Sequence, residues 1–491
     1  MRPESSACIN SSEMKSQSLD MSEELVSVVS DDDDFMNNLE ENHLEENEDE
    51  SDRIMFDDKI ANVISKQMPP NASDPQNVDS LIAFQMAKLS VADREKAYMD
   101  VHGIPDLVEE SPELIQKSLS ELEHEIDMLP DKKAYSIAER LDPEYVRDRD
   151  FCLAFLRCEK FDCQKAALRI IRHFQTKLDL FGEDKLAMDI TQDDLDMDDM
   201  DAVYSGAGRF LNAYDSGGRI INFLVGVPKV YKTDAVCDIF GSTTYFQLRR
   251  AFYNIMVAFR DNAEVQRRGA VAIGWTVGNV NGTAGDNADM NWKLPRLHEG
   301  TPMRASAVHL CYTDDTWKDS MAVMRSGLNK QIQVRVRVHH GTIQECMQHL
   351  RRHGINPTSI PVNENGEISD QLEYCRRLEQ LRKHERLKYP LRHIIGVPSA
   401  QDVLLGKGTP FQNHAGNKSL RQVVSDRYKE YEKAQKGLKK VIAKEIVDAI
   451  RGNGGLFLKQ DGKKWIPVNG EVAVLKVSAA FRTLRLKGGT K

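Results

Sequence analysis

The feature that most constrains the fold is the stretch Gln331–Pro361, which combines a strand, a tight turn and a helix. Apolar and polar residues alternate over 332–339, the two-residue period of a strand whose faces differ. Gly341 interrupts the alternation, and Thr342 with Glu345 three residues later predicts a capping box at the start of a helix. A strand followed at once by an amphipathic helix is typical of one layer of an α/β sheet.

The segments before this unit repeat the alternation of strands and helices. They predict a hairpin over Gly208–Val225, a helix over Thr244–Gln266, a buried strand over Ala270–Val277, a helix over Met290–His298, a strand over Ser306–Tyr312 and a helix over Asp315–Ser326. Such a string favours a mainly parallel sheet flanked by helices. We therefore predict an α/β fold with a helical N-terminal segment and a small C-terminal α+β domain.

A pair of amphipathic helices precedes the predicted sheet, over Arg147–Gly182. Asp162 can cap the second helix, and Gly182 can end it.

At 491 residues the chain is too long for a single compact core. We predict a disordered acidic tail over 1–75, a sparse helical linker over 76–130, an α/β domain over 131–367, a charged connector helix and loop over 368–400, and a basic α+β domain over 401–487. The tail is assigned to disorder because its Ser, Asn, Asp and Glu residues bury too little apolar surface to offset the entropy of ordering.

The two ends of the chain carry opposite charge. Residues 1–60 contain 19 acidic and 4 basic residues, a net charge of −15, whereas residues 371–491 contain 26 basic and 11 acidic residues, a net charge of +15. This polarity favours either masking of one end by the other or binding of the basic end to an anionic partner, such as a phosphorylated lipid surface or nucleic acid. A tail that only increases solubility explains the acidic end equally well.

The composition favours an intracellular protein that meets membranes only from their surface. The N-terminus has no apolar signal core, and no apolar run reaches membrane-spanning length. The eight cysteines form no C-x-x-C pair and lie mostly in apolar patterns, as reduced core residues do. We expect a cytoplasmic protein that is transiently at membranes, with the nucleus as an alternative location.

The sequence lacks the glycine patterns of nucleotide enzymes and the elbow of serine hydrolases. Gly206-x-Gly208 and Gly406-x-Gly408 have no third glycine, and 416–419 resembles the end of a P-loop whose first glycine is replaced by Phe411. No G-x-S-x-G segment occurs. We therefore expect no catalytic residues, no cofactor and no enzymatic activity.

Three potential metal ligands share the helix that follows Gly341. Cys346 belongs to its apolar stripe, whereas His349 and His353 face the other way, so the three do not converge. We predict no metal site and expect these histidines to be solvated.

Aromatic and methionine residues recur along the predicted sheet and its helices. The candidates for a hydrophobic ligand pocket are Phe246, Phe252, Met256, Phe259, Trp275, Val308, Leu310, Trp317 and Met321. Their periodicity also fits an ordinary core. Arg335, Arg337 and His339 would project from one strand face and suit an anionic headgroup, although edge-strand charges that discourage aggregation give the same pattern.

The middle of the chain, about Asp131–Glu367, resembles the Sec14-like (CRAL-TRIO) family of lipid-binding proteins. Phe155–Phe174 is similar to the helical segment before the domain, and Tyr214–Gly226, YDSGGRIINFLVG, is similar to the first hairpin. The strand RASAVHLCY and the closing HHGTIQECMQHLRRHGINPTSIP resemble the later strands and the terminal segment of the family.

The resemblance implies a hydrophobic pocket between the sheet and a mobile gate helix. By position the gate is Asp315–Ser326, with Trp317 and Met321 pointing inward. Acyl chains gain ~0.8 kcal/mol per methylene on leaving water, and basic residues near the mouth add about 1 kcal/mol each at an anionic leaflet. The implied function is non-enzymatic binding, and intermembrane transfer or sensing, of a phospholipid or phosphoinositide.

The basic C-terminal segment resembles an uncharacterised domain family found chiefly in diatom proteins, through Asn413–Lys418 and Gly455–Lys459. We predict two helices, a hairpin and a last helix for it. A winged-helix-like nucleic-acid reader, a phospholipid-docking module and a protein-interaction module all fit a basic unit of this kind. The alternative function is therefore regulatory nucleic-acid binding through this domain.

Overall fold

The computed structural model describes residues 78–226, 245–276, 297–317, 330–389 and 391–488. The acidic tail predicted over 1–75 lies outside the described residues. So do the side chains of Phe246 and Met321, most of the helix predicted over Met290–His298, and most of the predicted gate Asp315–Ser326.

The described chain contains the following helices and strands. The elements are α1 Val78–Ala87, α2 Val91–Val101, α3 Pro112–Met128, α4 Lys133–Leu141, α5 Pro143–Val146, α6 Arg149–Cys158, α7 Cys163–Phe181, α8 Met197–Tyr204, β1 Gly208–Tyr214, β2 Ile220–Gly226, α9 Tyr245–Phe259, α10 Ala263–Arg268, β3 Ala270–Thr276, β4 Ala305–Tyr312, α11 Lys330–Gln333, β5 Val336–His340, α12 Ile343–Arg352, α13 Gln371–Lys388, β6 Val403–Leu405, α14 Thr409–Asn413, α15 Ala415–Asp426, α16 Tyr428–Lys433, α17 Lys436–Gly452, β7 Phe457–Asp461, β8 Lys464–Pro467 and α18 Gly470–Gly488.

Five of the described strands form one mostly parallel sheet in the order β1-β2-β3-β4-β5. β1 and β2 are antiparallel and form the predicted hairpin, whose turn includes Gly218 at a φ of 72°. β2 to β5 are parallel, with Ile220 opposite Ala270 and Val308 opposite Val336. The prediction of an α/β fold with a mostly parallel sheet flanked by helices is therefore confirmed.

Helices cover the two faces of this sheet. Phe252 and Phe259 of α9 share a buried cluster with Ile220 and Ala270 at the amino ends of β2 and β3. On the opposite face, Cys346 and Leu350 of α12 pack in a cluster with residues of β2, β3 and β4. We call these the α9 face and the α12 face. Because side chains alternate along a strand, every strand contributes residues to both.

The helices before the sheet form a further buried cluster. Phe155 of α6 and Phe174 of α7 are fully buried there, together with residues of α3 and α4. The Asp162 side chain accepts a 3.1 Å hydrogen bond from the Lys165 amide at the start of α7, and Gly182 ends the helix at a φ of 80°. Both predicted ends of this helix are confirmed.

The segment 76–130, predicted as a linker, packs against the sheet domain. Ala97 and Val101 of α2 are buried, and Asp100 accepts a 2.8 Å hydrogen bond from Arg335 Nε. Gln85 of α1 donates to the Gln333 side chain. These contacts join the first two helices to the segment before β5, so the described part of this segment belongs to the domain.

The strand predicted over 332–339 begins later than expected. Residues 330–333 form the helical turn α11, and β5 runs from Val336 to His340. The next helix starts as predicted, because the Thr342 amide donates to Glu345 Oε2 at 2.7 Å and the Glu345 amide donates to Thr342 Oγ1 at 3.2 Å. The alternation correctly separated Val336 and Val338 from Arg337 and His339, but it was wrong for the start of β5.

The helix α13, predicted as a charged connector, is packed into the domain. Tyr374 and Leu378 belong to the cluster under α9, and Arg382 and Glu385 are buried as well. A helix with so few apolar residues is held by ion pairs and hydrogen bonds as well as by apolar contacts. This helix therefore joins the two domains and does not simply space them apart.

The C-terminal segment is a small α+β unit. Its sheet has the order β6-β7-β8, with β6 parallel to β7 and β7 antiparallel to β8. Ile446 of α17, Phe457 of β7 and Phe481 of α18 lie in its core. The predicted hairpin and last helix are present, but four helices and not two come before the hairpin, and β6 adds a parallel strand.

None of the helices in the described ranges is both long and apolar enough to cross a bilayer.

Candidate functional site

The two faces of the large sheet differ in how well they are covered. On the α12 face, residues of the central strands such as Phe223, Ile273 and Trp275 are completely buried. On the α9 face, a group of small and apolar residues on four adjacent strands remains only half-buried. We call this group the sheet strip; its members are Leu224, Ala272, Val308 and Val338.

The sheet strip is continuous across the strands. Ala272 lies directly opposite Val308 in the β3–β4 register, and Asn222 lies opposite Ala272 on the other side. Asn222 is also half-buried, which places an amide side chain beside these apolar residues. The strip and Asn222 together combine apolar surface with a hydrogen-bonding group, as small-molecule sites commonly do.

Two aromatic clusters flank the sheet strip on the α9 face. Phe252, Met256 and Phe259 of α9 lie in the cluster that covers the amino ends of β2 and β3. Leu310 and Trp317 lie in a second cluster, against which Val308 and Val338 pack. The structure thus places six of the residues predicted to line a pocket on one face of the sheet: Val308 in the strip itself, and the other five in the two clusters that flank it.

Trp275 does not join the other predicted pocket residues. It is buried on the α12 face, in the cluster that contains Ile273 and Cys346. Successive residues of β3 alternate between the faces, and Trp275 has the parity of Ile273, not of Ala272. Phe246 and Met321 fall on side chains outside the described part of the chain.

The predicted headgroup residues do not face the sheet strip. Arg337 and His339 are buried on the α12 face, since they alternate along β5 with Val336 and Val338 of the α9 face. Arg335 lies before β5 and donates to Asp100 at 2.8 Å and to the Gln331 carbonyl at 2.6 Å. These three side chains therefore form no common basic surface, which corrects their assignment to one exposed strand face.

An open cleft of about 610 Å³ lies at the end of α12 and in the turn after it. It is lined by Arg351, Gly354, Ile355, Asn356, Pro357 and Thr358. None of these residues is among those predicted to line the apolar pocket, so the cleft is a different site from the predicted one.

Histidines gather on the α12 face where β4, β5 and the end of α12 meet. His309 Nδ1 and His339 Nε2 are 3.0 Å apart, and their rings stack at an interplanar angle of 12°. The His353 ring centroid is 4.8 Å from that of His309 and 5.5 Å from that of His339. We call these three residues the histidine cluster. Each offers a ring nitrogen, and these nitrogens lie within 4.8 Å of one another.

The environment keeps His309 and His339 uncharged. Burial lowers the pKa of His309 well below its usual value, and the neighbouring His353 and His339 lower it further. Burial, together with His353 and His349, lowers the pKa of His339 to about 3. Neutral imidazole is the form that binds metal ions, so the cluster is chemically suited to a metal as well as to hydrogen bonding.

The predicted grouping of His349 and His353 with Cys346 leaves out His309. Cys346 does face the core, where its Sγ is 3.6 Å from the His339 carbonyl oxygen. The residues that approach His353 come instead from β4 and β5. The register of these strands pairs His309 with Arg337 and Cys311 with His339, and this pairing brings His309 and His339 close together. The sequence signal that could have identified this site was His309, a histidine within the apolar strand AVHLCY.

A buried ionic network joins the sheet domain to the C-terminal unit. Arg386 of α13 donates to Asp193 at 2.7 and 2.8 Å and also to Asp402 at 2.7 Å. Arg382 donates to the same Asp193 oxygen at 2.7 and 2.9 Å. Burial acts to raise the pKa of Asp193, but the hydrogen bonds and charges of Arg386 and Arg382 outweigh it, and the pKa is lowered.

Residues 402–483 match a protein family described as a domain of unknown function, DUF6824. The match spans β6 to α18 and agrees with the resemblance of this segment to an uncharacterised domain. A comparison with curated proteins finds no match to the chain.

Proposed function

We propose that the sheet domain binds a hydrophobic ligand against the sheet strip, and that this ligand is a phospholipid or phosphoinositide. The observation that carries the proposal is the contrast between the centres of the two faces: Phe223, Ile273 and Trp275 on the α12 face are completely buried, whereas Ala272 and Val308 on the α9 face remain half-buried. Incompletely covered apolar surface between two packed clusters is where a ligand gains free energy by excluding water.

The small side chain of Ala272 makes room for acyl chains at the centre of β3, whereas the Leu310 side chain fills the space above Gly274 two residues later. Each methylene that such a surface removes from water contributes about 0.8 kcal/mol. A bilayer offers nearly the same gain, so exchange of the ligand requires that the strip open toward a membrane surface.

The order of elements supports assigning the domain to the Sec14-like (CRAL-TRIO) class. A helical segment precedes an antiparallel hairpin, and parallel strands with intervening helices follow it. On this proposal the protein binds and transfers or senses lipid without catalysing a reaction. It acts in the cytoplasm, with transient visits to anionic membranes.

The test is the lipid content of the full chain and of two variants with the same substitution. Ala272→Phe fills the sheet strip, whereas Ala213→Phe adds the same ring at a half-buried position on β1 that packs against the cluster of the α12 face. Native mass spectrometry and lipid extraction measure the co-purifying ligand. Uptake from phosphatidylcholine vesicles, with and without phosphatidylinositol, measures binding and preference.

We expect the wild type and Ala213→Phe to carry lipid and Ala272→Phe to lose most of it. Circular dichroism establishes that each variant is folded. A wild-type protein that neither carries lipid nor takes it up from either vesicle would overturn the proposal, and so would equal uptake by the two variants.

A second candidate function, nucleic-acid binding by the C-terminal unit, is supported by the surface of α17. Lys436, Lys440 and Lys444 are exposed at four-residue spacing, which places them along one side of the helix. A row of lysines at that spacing suits a phosphate backbone, whose binding depends steeply on salt. Replacing all three with glutamine should weaken DNA binding and flatten its salt dependence, and binding that is unchanged would remove this candidate.

A further inference from the structure

We propose that the histidine cluster, His309, His339 and His353, is a binding site for one divalent transition-metal ion such as Zn²⁺. This site lies on the α12 face, opposite the sheet strip, so the inference is independent of the proposed lipid binding. Its three ligands come from three separate elements: β4, β5 and the residue that caps the end of α12.

The distances suit a metal after a small adjustment. Zinc–nitrogen bonds of about 2.0–2.1 Å in a tetrahedral site separate the ligand nitrogens by roughly 3.4 Å. The facing nitrogens of His309 and His339 are 3.0 Å apart, and the ligand nitrogens of all three residues lie within 4.8 Å of one another. His353 is half-buried at the end of α12, and its ring lies against the rings of His309 and His339.

His309 is completely buried, and the nitrogen that it turns toward His339 is Nδ1, which faces His339 Nε2. Two neutral imidazoles share one proton between such facing nitrogens, and a metal ion bound to both nitrogens would take the place of that hydrogen bond.

The composition of the site selects the class of metal. Three imidazoles and no carboxylate favour Zn²⁺, Co²⁺, Ni²⁺ or Cu²⁺ over Ca²⁺ and Mg²⁺, which require oxygen ligands. Arg219 and Arg337 lie close enough to act on His309 electrostatically. Arg219 is paired with Asp215, to which its Nε donates at 2.7 Å, and Arg337 donates to the carbonyls of Val334 and Val336. Three imidazole ligands leave the fourth position of a tetrahedral metal to water or a small anion.

A metal at this point would join the edge strand β5 to β4 and to the end of α12, beside the cleft that Arg351 and Gly354 line. Binding to the folded state alone adds stability in proportion to the logarithm of the free metal concentration. The expected role is therefore to hold the sheet edge and the turn after α12 in place.

The experiment uses the full chain, stripped of metal by dialysis against a chelator. Co²⁺ is titrated and followed by its visible absorption, which distinguishes tetrahedral from octahedral coordination, and Zn²⁺ affinity is measured by competition. His353→Gln removes one ligand at a half-buried position where folding should survive. His384→Gln is the matched control, because His384 is exposed on α13.

We expect one ion per chain, a tetrahedral Co²⁺ spectrum and a higher melting temperature with Zn²⁺. His353→Gln should weaken binding about tenfold or more, while His384→Gln leaves it unchanged. His339→Gln provides a second ligand variant, and circular dichroism checks its folding.

The proposal fails if the stripped protein binds neither Co²⁺ nor Zn²⁺. It also fails if His353→Gln binds with wild-type affinity and spectrum, or if the bound Co²⁺ is octahedral and survives both ligand substitutions.

Discussion

Asp193 and Arg386 form a two-point ion pair in the interior, with Nε–Oδ2 and Nη2–Oδ1 distances of 2.7 and 2.8 Å. Their side chains are only 5 % and 4 % exposed. The same guanidinium donates through Nη1 to Asp402, which is completely buried at the start of the C-terminal unit. One arginine of α13 thus satisfies a carboxylate from each domain.

Replacing Arg386 with methionine should destabilise the protein by about 3–5 kcal/mol, because it leaves Asp402 and part of Asp193 buried without their partner. Urea unfolding measures the loss. Arg377→Met is the control on the same helix: Arg377 is 43 % exposed and pairs with Asp370 at 3.2 Å, so its loss should cost less than about 1 kcal/mol. Equal losses in the two variants would contradict the assigned role of Arg386.

The lowered pKa of Asp193 predicts the behaviour of this ion pair in acid. A carboxyl group whose pKa is lower in the folded than in the unfolded state contributes stability above its ordinary pKa of 3.8, and that contribution is lost as the pH falls through the folded value. Asp193→Asn should therefore be clearly less stable than the wild type at pH 6, with the difference shrinking below pH 4. Unfolding midpoints measured across this range test the prediction, and a difference that grows in acid would refute it.

Glu385 should have the opposite dependence on pH. Burial raises its pKa from 4.5 to about 7, although the Gln192 amide and the Tyr253 hydroxyl both donate to it, at 2.9 and 3.0 Å. A raised pKa favours folding most below pH 4.5, and this contribution is lost as the pH rises through the folded value.

Glu385→Gln removes the titrating group, so its stability relative to the wild type should improve between pH 5 and 8. The shift from 4.5 to about 7 corresponds to about 3 kcal/mol. Calorimetric unfolding of both proteins over this range measures the effect. A constant difference would mean that Glu385 is already ionised in the folded protein at pH 5.

Asn417 lies in the Asn413–Lys418 segment, through which the C-terminal unit resembles the uncharacterised family, and its contacts give this position a structural role. Its side chain accepts a 2.7 Å hydrogen bond from the Leu404 amide and donates to the carbonyls of Leu404 and Phe411 at 3.0 and 2.8 Å. Asn417→Ala would leave three backbone groups without partners and should cost about 3 kcal/mol or more. Asn453→Ala, at an exposed position, should cost less than about 1 kcal/mol by the same urea assay.

Gly416, the neighbour of Asn417, has a separate requirement. A Cβ at this position would overlap the backbone carbonyl of Asp402, so Gly416→Ala should displace β6 from α15 and unfold the C-terminal unit at a lower temperature. Gly437→Ala is the control, because an added Cβ there meets no other atom within 4 Å. An unchanged melting temperature for Gly416→Ala would show that the backbone can yield at this point.

Local sequence signals made the starts of two helices predictable. The capping pair Thr342 and Glu345 fixed the start of α12, and Asp162 fixed the start of α7, because these residues bond to backbone groups within the same turn. The start of β5 was missed because Ile332 and Gln333, an apolar residue followed by a polar one, continue the alternation of the strand toward its amino end. Their helical turn is set by contacts such as that of Gln333 with Gln85, which lies far away in the sequence.

The candidate sites depended on longer-range relationships. Trp275 is a large aromatic residue of the kind that lines pockets. Its position in the alternation of β3, however, places its side chain on the α12 face, opposite to that of Val308. His309 and His339 meet only because β4 and β5 pair in one particular register, which no motif specifies. Arg386 resembled a solvated charge on a polar helix, since its partner Asp193 lies 193 residues earlier in the chain.

The position of Arg386 also determines where this polypeptide can be divided. A fragment that stops at residue 401 keeps the guanidinium but loses the carboxylate of Asp402, and one that starts at 402 has the reverse defect. The sequence-defined border of the C-terminal unit therefore cuts through a shared salt bridge. Each half, if expressed separately, would therefore expose a charged side chain that is buried in the intact protein.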